Sequence, residues 1–235
     1  VSTAPSVLVQ DANGNAVAGV EVTFAVASGG GTVDPVEAVT TDANGVAAVT
    51  SWTLGTTAGS NTLTASATGL TDVTFTATGT AGSASQLVVA TAPVAGANGA
   101  ALGTQPVIEI RDAQGNVVTT DNATQVAVSI GGGSGGTLGG TQTVTAANGV
   151  VTFSDLTLTG LTSETYTLSF VDTGAAFTAV TSDVSLSGAG PASQMAVNAG
   201  DNQTASVGTA VSTAPSVLVQ DANGNAVAGV EVTFA

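Results

Sequence analysis

Apolar and polar side chains alternate along this chain in short runs. Val20, Val22, Phe24 and Val26 alternate with Glu21, Thr23 and Ala25, so one set can face a core and the other water, as in a half-buried strand. Val7 and Val9 share a face in the run before it, and Ile108 and Ile110 do so in a matching run. Further alternating runs occupy 46–54, 62–67, 73–77, 126–130, 150–158 and 166–170. Between runs stand Asp11-Ala-Asn-Gly-Asn15, Asp42-Ala-Asn-Gly45, Asp112-Ala-Gln-Gly-Asn116 and Ala147-Asn-Gly149, where Gly and Asn accept positive φ and turn the chain. No window of about ten residues shows helical i, i+3, i+4 spacing with caps.

The runs are organised by repetition. Val1–Ala25 reads VSTAPSVLVQDANGNAVAGVEVTFA and recurs letter for letter as Val211–Ala235, an offset of 210 residues. Such identity implies a tandem array with that unit. A diverged repeat lies inside it: Pro5–Asn15 matches Pro106–Asn116, 44–54 matches 148–158, and Gly82-Ser-Ala-Ser-Gln-Leu87 matches Gly190-Pro-Ala-Ser-Gln-Met195. The last pair follows the small-residue stretches Thr78–Ala81 and Ser187–Gly190 and reads as two domain starts. The expected organisation is residues 1–81, a domain lacking its first strand; 82–189, a complete domain; and 190–235, the N-terminal part of a repeat of the first type. About seven short strands in about 100 residues predict an all-β fold of tandem immunoglobulin-like antiparallel β-sandwich domains. Trp52 and Leu156, Asn61 and Tyr166, and Leu63 and Leu168 occupy equivalent positions and are expected in or near the cores.

Composition removes whole classes of chemistry. Cys, His and Lys are absent, and Arg111 is the single basic residue against sixteen acidic ones. Disulfides, thiolate or imidazole metal sites, Ser-His-Asp catalysis, a Walker-type phosphate loop and lysine cross-links are therefore excluded. A net charge of −15 from only 7% charged residues leaves no basic patch for nucleic acid or anionic membranes, although it can attract divalent cations. Hydrophobic residues make up 43%, mostly Ala and Val, enough to build a core and suited to strands. Leu87–Leu102, the longest apolar stretch, is broken by Pro93, Gly96, Asn98 and Gly99, so no membrane-spanning helix is expected. The chain begins at Val1 without a signal-peptide pattern and reads as a piece of something longer or a processed product.

Val20-Glu-Val-Thr-Phe24, Ser28-Gly-Gly-Gly-Thr32, Thr41-Asp-Ala-Asn-Gly-Val46 and Leu54-Gly-Thr-Thr-Ala-Gly-Ser-Asn-Thr-Leu63 together resemble bacterial Ig-like (Big, invasin/intimin-type) repeats. The resemblance is clear around these residues and looser over Gly82–Ala189. It implies an extracellular protein of the bacterial surface whose domains are strung into a stalk holding a binding tip away from the cell, with no catalytic residues to carry over.

Candidate sites are few. Gly131-Gly-Gly-Ser-Gly-Gly136 contains GxGxxG, but it aligns with Ser28–Gly31 and reads as a flexible loop rather than a dinucleotide site. Asp11-x-Asn13-x-Asn15 begins like a calcium loop, yet Ala16 and Val22 stand where an EF-hand needs Gly and Glu, so a turn is the first reading. A looser calcium site remains a candidate at Asp11, Asn13, Asn15, Asp42 and Asp112, with Asp34, Glu37, Asp121 and Asp201 also available. The linkers Gly82–Ser85 and Gly190–Ser193 carry no carboxylate, which argues against calcium-stiffened junctions. Asp34 with Glu37 and Glu109 with Asp112 are near in sequence but lack a sugar-binding aromatic platform, so no enzyme is expected. The sequons Asn122-Ala-Thr and Asn202-Gln-Thr read as solvated strand and turn.

The resulting expectation is a stalk or fibre acting as spacer or adhesive filament, with neighbouring repeats, or identical chains, as partners. A surface lattice of S-layer kind is the alternative. The odd ends point to a window on a longer array, or to chains that complete one another by donating strands.

Overall fold

The computed structural model describes residue 1 and residues 3–235, and its regular structure is strand and turn. Two compact units are present: Val1–Ser83 with Asp112–Val118, and Ala84–Arg111 with Thr119–Ala235. In chain order the first unit holds β1 (Ser6–Leu8), β2 (Glu21–Ser28), β3 (Gly31–Asp34), β4 (Val39–Thr40), β5 (Val46–Ala48), β6 (Ser51–Leu54), β7 (Gly59–Ser66) and β8 (Val73–Gly79). They form a sheet ordered β4-β2-β7-β8 and the pairs β1-β5 and β3-β6.

The second unit holds β9 (Gln86–Thr91), β10 (Val107–Arg111), β11 (Gln125–Gly132), β12 (Thr137–Gly139), β13 (Thr143–Thr145), β14 (Val150–Thr152), β15 (Thr157–Thr159), β16 (Thr165–Asp172), β17 (Val180–Ser185), β18 (Gln194–Ala199) and β19 (Ser216–Gln220). Its sheets are β14-β10-β9 and β13-β11-β16-β17, with the pairs β12-β15 and β18-β19. All these strand pairings are antiparallel, and the fold is the all-β, immunoglobulin-like sandwich that the alternation predicts.

Alternation becomes core directly. Val22 and Phe24 of β2 and Leu63 and Ala65 of β7 are buried, while Glu21, Thr23 and Ala25 are exposed. In the second unit Tyr166, Leu168 and Phe170 of β16 meet Ile108, Ile110, Phe153 and Leu156 in one cluster. Trp52, Leu156, Asn61, Tyr166, Leu63 and Leu168 are all buried, as their equivalence in the repeat implied.

Tyr166 and Asn61 do the same work with different reach. The Tyr166 hydroxyl accepts the Leu161 N–H at 2.7 Å, tying the start of β16 to the corner before it. Asn61 Oδ1 accepts the Gly55 N–H at 3.2 Å at the corresponding corner. Room for the tyrosine comes from glycine: a Cβ on Gly133 would stand 2.6 Å from its ring, and Gly136 and Gly160 are similarly crowded. Within 131–136, Gly131 and Gly132 lie in β11, the loop begins at Gly133, and Gly133 and Gly136 leave room for the Tyr166 ring, Gly133 with a φ of 92°.

The duplicated letters adopt two structures. In the first copy Glu21–Ala25 lies in β2, paired to β4 and β7, with Phe24 only 2% exposed. In the second copy Glu231–Ala235 forms no strand, and Phe234 is 61% exposed. The difference is tertiary: the first copy pairs with β4 and β7, whereas Glu231–Ala235 has no strand pairing among the described residues.

Replacing Tyr166 by Phe keeps the ring and deprives the Leu161 N–H of its acceptor. We expect a loss of about 1–2 kcal/mol in urea unfolding followed by circular dichroism. A change under about 0.5 kcal/mol would mean that the corner bond contributes nothing beyond an ordinary surface contact.

Candidate functional site

One turn recurs three times, as Asp11–Asn15, Asp112–Asn116 and Asp221–Asn225, and its interior is the same each time. The first-residue carboxylate accepts two backbone N–H groups through Oδ1: Asn13 and Asn15 at 2.9 and 2.8 Å, Gln114 and Asn116 at 3.0 and 2.8 Å, Asn223 and Asn225 at 2.9 and 3.0 Å. Oδ2 accepts the amide Nδ2 of the fifth residue, at 2.9 Å in all three. The fourth residue is a glycine with φ of 85°, 87° and 88°. These are Asx-type turns, in which a short carboxylate replaces the backbone as acceptor.

What the turns do outwardly differs. In the first unit Asp112 Oδ2 also accepts the N–H of Gly82, the first linker residue, at 2.8 Å. Asn116 then uses both ends of its amide: Nδ2 donates to the Thr56 carbonyl at 2.8 Å, and Oδ1 accepts the Ala58 N–H at 2.8 Å. In the second unit Asp221 repeats the arrangement, accepting the N–H of Gly190, the repeat counterpart of Gly82, at 2.9 Å. Asn225 donates to the Gly160 carbonyl at 2.9 Å and accepts the Thr162 N–H at 2.8 Å. Asn98 closes the set, giving Nδ2 to Asp221 Oδ2 at 2.7 Å and to Asn223 Oδ1 at 2.9 Å while its own Oδ1 accepts the Gly160 N–H at 2.8 Å. Asp221 is 1% exposed, and Asn98 and Asn225 are buried with it.

A carboxylate so far from water is stable only if its charge is met, and with no lysine in the chain the donors are amides. Burial would raise the Asp221 pKa. The donors from Asn225, Asn98 and Gly190 outweigh that and hold it well below the ordinary value. Donors from Asn116 and Gly82 bring Asp112 from 3.8 to about 2. Asp11 is lowered too, by Asn15, although its turn is exposed.

The candidates for calcium sit as follows. Asp11, Asn13 and Asn15 share one turn, but Asn15 presents its amide nitrogen, not its oxygen, to the carboxylate. Asp42 accepts the N–H of Asn44 and Val46 in its own turn. Asp112 is engaged at the linker, and Asp121 accepts the Thr124 hydroxyl at 2.7 Å. Among the described residues no three carboxylates gather into a metal-holding group. The linkers lack carboxylates of their own, yet a carboxylate reaches each from the turn that follows. The signal was the asparagine at the fifth position: Asp42, whose fifth residue is Val46, has the turn and no amide to extend outward.

No known protein family and no curated protein matches the chain. Solved structures do. FdeC, an adhesin of Escherichia coli, is 25% identical over 93% of this chain and 68% of its own, with a TM-score of 0.47. Invasin, a bacterial integrin-binding protein, is 23% identical over 97% of this chain and 45% of its own, with a TM-score of 0.40. The D0-D1 domain of intimin is 20% identical over 77% of this chain and 87% of its own, with a TM-score of 0.29. β-Glucuronidases of Bacteroides uniformis and Parabacteroides merdae match as well, over 21% and 20% of their lengths.

The lowered carboxylates set a direction for pH. A group whose folded pKa lies below its unfolded value stabilises the fold above the unfolded value and loses that contribution as pH falls through the folded one. With Asp112 moving from 3.8 to about 2, the melting temperature should hold from pH 7 to about 5 and fall between about 4 and 2. An Asp112→Asn variant should melt lower at pH 7 and show a shallower acid fall. Thermal denaturation across that pH range checks both, and parallel curves for the two proteins would remove the assignment.

Proposed function

We propose that this chain is a length of a structural array, a spacer or adhesive filament outside the bacterial cell, in which sandwich repeats are strung end to end. The observation that carries this reading is the recurrence of one turn in one role. The Asp112 and Asp221 turns each hold a linker N–H and a corner of the preceding sandwich through the same carboxylate and the same asparagine amide. A repeat whose own turn grips what precedes it is suited to transmitting position along a chain. The 210-residue repeat supports the array, and the motifs shared with bacterial Ig-like repeats support the surface location. Binding of a receptor is left to whatever the array carries.

Inserting one, two or three copies of Val1–Ala210 between a membrane anchor and a terminal epitope tests the spacer. The epitope should rise above the cell surface by an equal step per copy in fluorescence interferometry. A height independent of copy number would overturn the reading.

A further inference from the structure

We propose that Asn98 determines which kind of domain follows its own. It docks a turn with Asn at the third position, Asp221-Ala-Asn223-Gly-Asn225, and rejects one with Gln there, Asp112-Ala-Gln114-Gly-Asn116. The partner is the next domain of the same chain, and the effect is to make the two domain types alternate. This rests on the array reading and deepens it by assigning the residue that sets domain order.

Asn98 is fixed before it meets the following turn. It stands second in the turn Ala97–Ala100, where the Ala100 N–H donates to the Ala97 carbonyl at 2.9 Å and Gly99 has a φ of 80°. Its own backbone N–H donates to the Gly188 carbonyl at 2.8 Å, and the Gly99 N–H to the Leu158 carbonyl at 2.9 Å. From this pinned backbone the buried amide uses both of its ends. Nδ2 donates to Asp221 Oδ2 and to Asn223 Oδ1, and Oδ1 accepts the Gly160 N–H.

The length of the side chain at 223 decides whether that set closes. Asn223 Oδ1 lies 2.9 Å from Asn98 Nδ2, whereas Gln carries its carbonyl one methylene further from the same backbone. The corner has no slack to absorb the difference. A Cβ on Gly190 would stand 2.9 Å from the Asn98 carbonyl oxygen and 3.5 Å from Asp221 Oδ2. A Gln at 223 therefore either shifts the turn off Gly190 or leaves a buried Asn98 proton without an acceptor, and both outcomes cost stability.

The other domain type differs at both positions at once. Ser206-Val207-Gly208-Thr209 repeats the turn that holds Asn98: the Thr209 N–H donates to the Ser206 carbonyl at 3.0 Å, and Gly208 has a φ of 79°. The offset of 109 residues between Gly99 and Gly208 also sets Pro106 on Pro215. Val207 thus occupies the place of Asn98, with no side-chain donor or acceptor to offer. In the 210-residue period, the domain that follows Val207 is the one whose turn carries Gln114. The amide goes with the Asn turn and the apolar side chain with the Gln turn. Two domains of one type in succession would set Asn98 against Gln, or Val against Asn.

The test is amide hydrogen exchange by NMR in the full chain, read at two N–H groups that touch neither substituted side chain. These are Gly190, which donates to Asp221, and Thr162, which donates to Asn225, with Gly82 as the unaffected reference. Asn98→Val should speed exchange at Gly190 and Thr162 about tenfold, as the corner loses a buried hydrogen-bond partner. Asn223→Gln, a change at an exposed residue, should do the same. The double variant copies the other pairing and should exchange no faster than either single one. An acceleration of about a hundredfold, the product of two independent effects, would mean that Asn98 only fills the corner and would overturn the selection. Unchanged exchange in Asn223→Gln alone would overturn it too, and that variant decides the matter if Asn98→Val loses its strand circular dichroism. Exchange within one chain does not depend on how many periods are joined, so this inference and the spacer reading fail separately.

Discussion

A carboxylate withdrawn from water must have its charge answered, and here neutral amides answer it. Asp221 is held by Asn225, Asn98 and the Gly190 N–H, and Asp112 by Asn116 and the Gly82 N–H. The one arginine is engaged elsewhere, with Glu109. Ion pairing is thus closed to these aspartates by composition. The Asp-x-x-Gly-Asn sequence solves the problem locally, since the turn supplies its own donors before anything else packs on it. Only after that is satisfied do Oδ2 and the asparagine amide have capacity left for the linker and the neighbouring corner. Amide donors also respond little to salt, unlike exposed ion pairs, so such a seam is insensitive to the ionic strength around it.

The strands were legible because one face of each is buried. Val22 and Phe24, or Tyr166, Leu168 and Phe170, announce their inward face by spacing alone. Legibility stopped where the partner is distant in sequence. Glu21–Ala25 and Glu231–Ala235 are the same letters, one a core strand and the other without regular structure, and no local rule separates them. Gly133 and Gly136 make a related point. Composition reports the freedom of a glycine, whereas the Tyr166 ring, arriving from thirty-odd residues away, needs its lack of a side chain.

The candidate site was legible in its turn and not in its reach. Asp followed by Gly and Asn signals positive φ and an Asx bond, and that much follows from side-chain length. Which extra partners the Asp and Asn would gather depends on where Thr56, Gly160 and Asn98 come to lie, and sandwich topology decides that. Asn98 gives no such signal in the sequence, where it only interrupts an apolar stretch. Its role is to satisfy three polar groups in one buried corner.

The turn, the strand before it and the linker that it grips all lie inside the 210-residue period. A duplication of that period therefore carries both halves of its own seam, and no new contact has to evolve when a copy is added or lost. In an array of such periods, reach would be a matter of counting copies, while the hydrogen bonds made by each turn would stay the same.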